Sequence, residues 1–340
     1  MFRVRPFVIT IVIACGGLYA AATDAQTPGI DSVRADIVGK PLVTGAIDIS
    51  HAQAQPTPVL KMPVDATGFM QEVQAKKPPT KPSANIKDTG NPAVAPVKWV
   101  GLVMTRLNQK DIEYCTGQFI APRVVLTAGH CVKDIDKNTW NDVNNMSFIL
   151  QFQNGEGSHV YKVVCTAALD AYTHPANYAS LNADQQNVAD LAAHQNDFAM
   201  ILVDSDSLTG TIAWQGDWKG KWLGATRIGY PGDILSGEVV QQAHGIVFFA
   251  DAIPIFTNNG STQSFPNLVV HWQRNTKLTQ GSSGGAWVVN FDPTEAQGSN
   301  IAISVSSFLM TDLAGAMFGP YLTAANVNAL LQFTQNGCKS

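Results

Sequence analysis

From residue 97 onward the chain breaks repeatedly into short runs of β-branched and aromatic residues, separated by Gly, Pro, Asn and Asp. Such runs read as strands, because branched side chains pack well on a pleated surface and the intervening residues favour turns. The pattern predicts strands at Trp99–Leu107, Gly117–Leu126, Met146–Phe152, Val160–Thr166, Phe198–Val203, Ala225–Ile228, Val239–Phe249, Leu268–Trp272, Ala286–Asn290 and Ile301–Phe308. Two stretches favour helix. Asn182–His194 reads as a short helical insertion, and Ala324–Phe333 places Val327, Leu330 and Leu331 on one side. No strand–helix alternation and no internal repeat is visible, so the chain reads as all-β, with barrel closure as the way to remove sheet edges.

The 340 residues suffice for one large domain or two small ones. Hydrophobic residues make up 45% and charged residues 14%, a balance that suits a compact folded chain. A net charge of -4 argues against nucleic acid as a partner. Residues 1–25 read as an export signal, with Arg3 and Arg5 ahead of the apolar Phe7–Ala14 run and small residues at Ala20–Ala22. The run is too short to span a membrane. Val12-Ile13-Ala14-Cys15 also resembles a lipoprotein box, so Cys15 is either lost on cleavage or carries a lipid anchor. Secretion or periplasmic export makes sense of the other four cysteines, Cys115, Cys131, Cys165 and Cys338, which can form two disulfides in three connectivities.

Residues 26–96 differ in composition. Prolines recur at 56, 58, 63, 78, 79, 82, 92 and 96 among small and polar residues, without hydrophobic periodicity. The segment reads as a Pro-rich linker or pro-segment, with order beginning near Val97.

Three stretches carry chemistry. Gly281-Ser282-Ser283-Gly284-Gly285 can expose the Ser283 hydroxyl at a tight bend. The backbone N–H groups of Gly281 and Ser283 could then converge as an oxyanion hole. In Thr127-Ala128-Gly129-His130-Cys131 a histidine precedes a cysteine, and Cys115 lies sixteen positions upstream. A disulfide between the two would close a loop worth about 3 kcal/mol and hold His130 rigid. In Asn196-Asp197-Phe198 a carboxylate stands directly before an apolar strand, where burial demands a partner such as a histidine N–H. Together His130, Asp197 and Ser283 supply the base, orienting acid and nucleophile of a triad. No histidine pair has a convincing metal-ligand spacing, and the chemistry needs neither metal nor cofactor.

These motifs, in this order, resemble the chymotrypsin-like (trypsin-fold) serine proteases over about residues 97–333. His174-Pro175 and Gly319-Pro320-Tyr321 look like further family features, and Arg227–Asp233 resembles the bacterial glutamyl-endopeptidase-like branch. The resemblance implies two six-stranded antiparallel β-barrels with a C-terminal helix, over a protease domain of residues 97–340. It implies a serine endopeptidase, acting as a monomer on protein or peptide substrates through an acyl-enzyme. A silent binding protein of the same fold, or an esterase with the same triad, are the alternatives. Lys277 falls where the family sets specificity, and an ammonium there would favour an acidic side chain. Lys277 could equally occupy a solvated surface position. Ser304, Ser306 and Gly319 fall at the other substrate-binding positions. Ser304 matches the serine that supports the triad aspartate, and the strand from Ser304 to Ser307 would pair with the substrate backbone.

The chain departs from the family at Ser282, where animal relatives carry an aspartate that pairs with a newly released N-terminus. Residues 26–96 would therefore act, if as a pro-peptide, by blocking the site or by aiding folding. Ile303-Ser304-Val305-Ser306-Ser307 lacks the histidine of glutamyl-specific relatives, and Thr279 stands where a pocket cysteine is common. The interval between His130 and Asp197 is long, with the excess at 179–194. Cys165 and Cys338 are expected to pair and staple the last helix to a barrel.

Overall fold

The computed structural model describes residues 28–34, 52–60, 86–88, 92–108, 111–219, 223–233, 237–250, 253–256, 262–265, 268–272, 280–310 and 316–339. The proposed signal, with Cys15, lies outside them, as do Lys277 and Thr279.

Four short strands precede residue 97: β1 (Ile30–Arg34), β2 (Ala52–Ala54), β3 (Val59–Leu60) and β4 (Ile86–Asp88). There follow β5 (Val100–Arg106), β6 (Ile112–Ala121), β7 (Val124–Thr127), a small hairpin of β8 (Lys133–Asp134) and β9 (Thr139–Trp140), β10 (Met146–Leu150), β11 (His159–Leu169) and β12 (Ala199–Val203). Six of these close a barrel in the order β11-β10-β5-β6-β7-β12, because β12 pairs back onto β11. Every pairing in the ring is antiparallel.

Strand periodicity decides what each side chain buries. In β5, Val103 points into the barrel with Phe119, Phe148 and Tyr161, whereas Leu102 and Met104 join a second cluster. Phe119 meets both Phe148 and Tyr161 edge-on at 5.1 Å, a favoured geometry for aromatic rings. The second cluster also takes Ile228, Val288 and Leu330, so it welds the first barrel to the rest of the molecule.

The remaining strands are β13 (Ala213–Trp214), β14 (Leu223–Gly229), β15 (Gln241–Ala250), β16 (Ile253–Phe256), β17 (Thr262–Phe265), β18 (Leu268–Trp272), β19 (Ala286–Val289), β20 (Ile301–Val305), β21 (Phe308–Met310) and β22 (Ala316–Gly319). They form one sheet in the order β13-β20-β19-β14-β15-β18-β22-β21-β3, while β16 and β17 make a separate hairpin. Among the described residues no ladder closes this sheet into a ring. Its two sides are nonetheless linked, since Ser304 Oγ of β20 donates to Pro320 O, just after β22, at 2.8 Å.

Both expected helices are present. Ala183–His194 starts with a capping box in which Asn182 and Gln185 satisfy each other's backbone N–H groups. Ala324–Gln335 is capped by Thr323 and buries Val327 and Leu330. Cys165 of β11 is bonded to Cys338, which fixes this helix to the first barrel, and Cys115 is bonded to Cys131.

The segment before residue 97 is more structured than its composition suggests. β1 pairs antiparallel with β11 and β4 with β15, while β2 lies parallel to β6 and β3 parallel to β21. Pairing needs only an extended backbone and an exposed sheet edge, neither of which leaves a hydrophobic period to read. Among the described residues no helix is long and apolar enough to cross a membrane.

Candidate active site

His130 sits in a one-turn 3-10 helix, Gly129–Cys131, directly after β7. The disulfide from Cys131 to Cys115 on β6 anchors that turn. Asp197, just ahead of β12, grips it twice. Its Oδ1 accepts from the His130 backbone N–H at 2.8 Å, and its Oδ2 lies 2.8 Å from His130 Nδ1. Gly129 is required here, because a Cβ would lie 2.8 Å from Tyr172 and 2.9 Å from Asp197 Oδ1.

Asp197 is fully buried. Burial alone would raise its pKa, but the facing His130, the nearby His194 and a hydrogen bond from Ser307 outweigh that cost and hold it at about 2. His194 itself is pushed down by burial, against the pull of Asp197. Asp197 is therefore a carboxylate, with its charge held against one edge of the imidazole.

Ser283 lies in the turn leading into β19, with Gly281 at φ 83° and Gly284 at φ 82°. Those are left-handed conformations that glycine adopts without strain. A Cβ on Gly284 would also come within 2.2 Å of Thr127 Oγ1 and 2.3 Å of Thr116 O. The turn is tied to β6 by Thr116, whose N–H donates to Ser283 O at 2.8 Å and whose hydroxyl donates to Gly281 O at 2.8 Å. The Ser283 turn and the His130 turn thus share one brace, since Cys115 and Thr116 are neighbours. His130 Nε2 is buried without a hydrogen-bond partner among the described residues. Ser283 Oγ lies 3.4 Å from Thr57 Oγ1.

Ser307, not Ser304, donates a hydrogen bond to Asp197 Oδ2. Ser304 turns instead to Pro320 O, and Ser306 Oγ accepts from Trp287 Nε1 at 3.2 Å. The Ser306 backbone is used in place: Gly284 N–H donates to Ser306 O at 2.8 Å, and Ser306 N–H to Gly285 O at 2.9 Å. The reason is strand alternation. Along the extended chain Ser304 and Ser306 alternate onto one side, and Ser307, past the end of β20 at Val305, falls on the other, toward Asp197. Gly319 is pressed against the same strand, where a Cβ would lie 2.4 Å from Ser304 Oγ and 2.4 Å from Val305 O.

Other sequence candidates sort themselves out. His174 stacks on Tyr178 at 3.8 Å, with Nε2 2.9 Å from Asp190 Oδ1, outside the His130–Asp197 pair. The long interval before Asp197 delivers the Ala183–His194 helix, whose His194 packs on Tyr172 and Phe308. Cys115, His130 and Cys131 cluster as metal ligands would, but the disulfide uses both sulfurs. A cavity of about 670 Å³ opens beside His130, lined by Lys133, Asp136, His174 and by Gln55 and Pro58 of the N-terminal segment. Sequence reasoning missed Ser307, Tyr172 and His194. The serine run marked the region but not which member reaches the acid.

The sequence matches the family model described as Trypsin over residues 86–307. No curated protein sequence is matched. A solved Glu endopeptidase in complex with MPD is 20% identical, with a TM-score of 0.52 over 75% of this chain and 99% of its own. The protease Anisep from Arthrobacter nicotinovorans is 18% identical (TM-score 0.48; 71% of this chain, 96% of that one). The serine protease AL20 from an extremophilic microorganism is 19% identical (TM-score 0.47; 70% and 97%). With the Trypsin match spanning well over half its length, and a closed β-barrel and C-terminal helix beneath it, the chain belongs to the trypsin family of chymotrypsin-like serine proteases.

Proposed function

We propose that this chain is an exported serine endopeptidase with the triad His130, Asp197 and Ser283. The second sheet would serve as the second six-stranded barrel, and residues 97–340 as the protease domain. The observation that carries the reading is the double hold of a buried, ionised Asp197 on His130. A carboxylate at Nδ1 keeps the proton on that nitrogen and leaves Nε2 with a lone pair, the form a general base requires. His130 Nε2 would take the Ser283 proton as Oγ attacks the substrate carbonyl, and later give it to the departing amine. Asp197 would stabilise the imidazolium between those steps. The N–H groups of Gly281 and Ser283 would hold the oxyanion. Lys277 would bind an acidic side chain before the scissile bond, and Gly319 would keep the pocket wall thin.

Digestion of a peptide library, read by mass spectrometry, tests this. Over prolonged incubation the wild-type chain cuts peptides, with Glu or Asp enriched before the cut, and Ser283→Ala lowers turnover by about 10⁴–10⁶-fold. Hydrolysis of short esters but no peptide would support an esterase. Equal turnover by Ser283→Ala would reject the triad.

A further inference from the structure

Residues Ala52–Leu60 lie across the site and contact His130, Gly281 and Ser283. At one end β2 runs alongside β6, with Ala52 opposite Ile112 and Ala54 opposite Tyr114, and Gln55 N–H donates to Tyr114 O at 2.9 Å. At the other end β3 runs alongside β21, with Val59 opposite Leu309, and Leu309 N–H donates to Pro58 O at 2.9 Å. Between the two, Gln55 O accepts from Gly281 N–H at 3.3 Å, and Gln55 Nε2 donates to His130 O at 2.6 Å. Thr57 Oγ1 lies 3.4 Å from Ser283 Oγ. Thr57 is 5% exposed and Ser283 not at all.

We infer that Ala52–Leu60 is an intramolecular inhibitor, a strap that fills the cleft of the unprocessed chain. This rests on the protease reading above. Two things that a peptide substrate needs on that reading are already taken, the oxyanion donor Gly281 N–H and the Ser283 hydroxyl, and the strap is tied down beyond them at Leu309. Thr57 also competes for the hydroxyl that His130 Nε2 must reach, and Nε2 has no hydrogen-bond partner among the described residues.

The strap is a poor substrate for the site it fills. The carbonyl at Gly281 N–H belongs to Gln55, so the peptide bond nearest the oxyanion donor is Gln55–Pro56. Its nitrogen is locked in a ring, and the Pro58–Leu309 hydrogen bond would hold that leaving group at the site, favouring re-formation of the bond. Small size is required at Ala54, because Cβ atoms placed on Gly232 and Gly281 would come within 2.6 and 3.1 Å of the Ala54 methyl. The strap is also displaceable. Both pairings are parallel and short, and parallel ladders are slightly weaker per residue than antiparallel ones.

Full-length proteins test the inference. Ala54→Trp with Leu60→Asp wedges the strap out at both ends, and Gln55→Ala with Thr57→Ala removes its side-chain contacts to His130 O and Ser283 without added bulk. Fluorophosphonate labelling of Ser283 is expected to be about tenfold or more faster in both variants than in wild type, as closed molecules become open. Equal rates in all three proteins, with unchanged thermal midpoints, overturn the strap. A second arm does not depend on catalysis. A fluorescein-labelled peptide of residues 52–60 binds the Ala54→Trp/Leu60→Asp protein carrying Ser283→Ala, and does not bind Ser283→Ala with its strap intact. Binding to neither, or equally to both, overturns the inference. Selective binding without labelling of any protein would reject the protease reading and leave the occluded cleft standing.

Discussion

Asp197 is where the chain spends most to build its site. The carboxylate is buried completely, and only the charges and hydrogen bonds that face it hold its pKa at about 2, against 3.8 for a free aspartate. A folded-state pKa below the unfolded value stabilises the protein fully above the unfolded value, and that stability is lost as pH falls through the folded one. Wild type therefore loses stability relative to Asp197→Asn between about pH 4 and pH 2, by on the order of 2 kcal/mol. Thermal midpoints of the two proteins across that range check it, and a constant gap would contradict the account. The same residue shows how far sequence reaches. Asn-Asp before an apolar strand marked it, and Thr-Ala-Gly-His-Cys marked its partner, because both are short motifs whose neighbours do the positioning. Ser307 was not distinguishable from Ser304 and Ser306, since the side of the strand that faces the acid is set by how the chain docks, not by the residue types.

The elements carry the site through a few braces. Cys115–Cys131 fixes the histidine turn, and the Thr116 bonds fix the serine turn to the same strand. Cys165–Cys338 acts elsewhere, holding the last helix over β11 and closing a long loop of sequence separation 173. Cys338→Ser is expected to lower unfolding stability by about 2–5 kcal/mol. Because the bond lies away from His130 and Ser283, peptide turnover at low temperature should stay near the wild-type value. Denaturant melts and turnover measured on one preparation separate the two effects, and an unchanged melt would show that the helix docks without its staple. Most of the longer strands and both helices were legible because branched residues and capping groups recur at fixed spacing, but Gly117–Leu126 is two strands, β6 and β7, turned at Pro122–Arg123, and Ile301–Phe308 breaks after Val305. The strands before residue 97 were not. They dock through backbone hydrogen bonds, which leave no trace in side-chain order.

For the whole molecule, the closed first barrel, the shared apolar cluster and the second sheet hold the two halves of the site together, and the strap lies in the seam. Family membership follows from a match over most of the chain, and the overall plan was legible from three ordered motifs. The occupied cleft was not, because the Pro-rich segment resembles a linker in composition whether or not it docks. The central claim is that Ser283 is a nucleophile activated by His130 and Asp197. Its most direct measurement is mass spectrometry of the full-length chain after prolonged exposure to a fluorophosphonate. The account predicts one adduct, on the Ser283 peptide, lost in Ser283→Ala and strongly slowed in His130→Ala. No adduct on any form of the folded protein, or one that persists in Ser283→Ala, would contradict it.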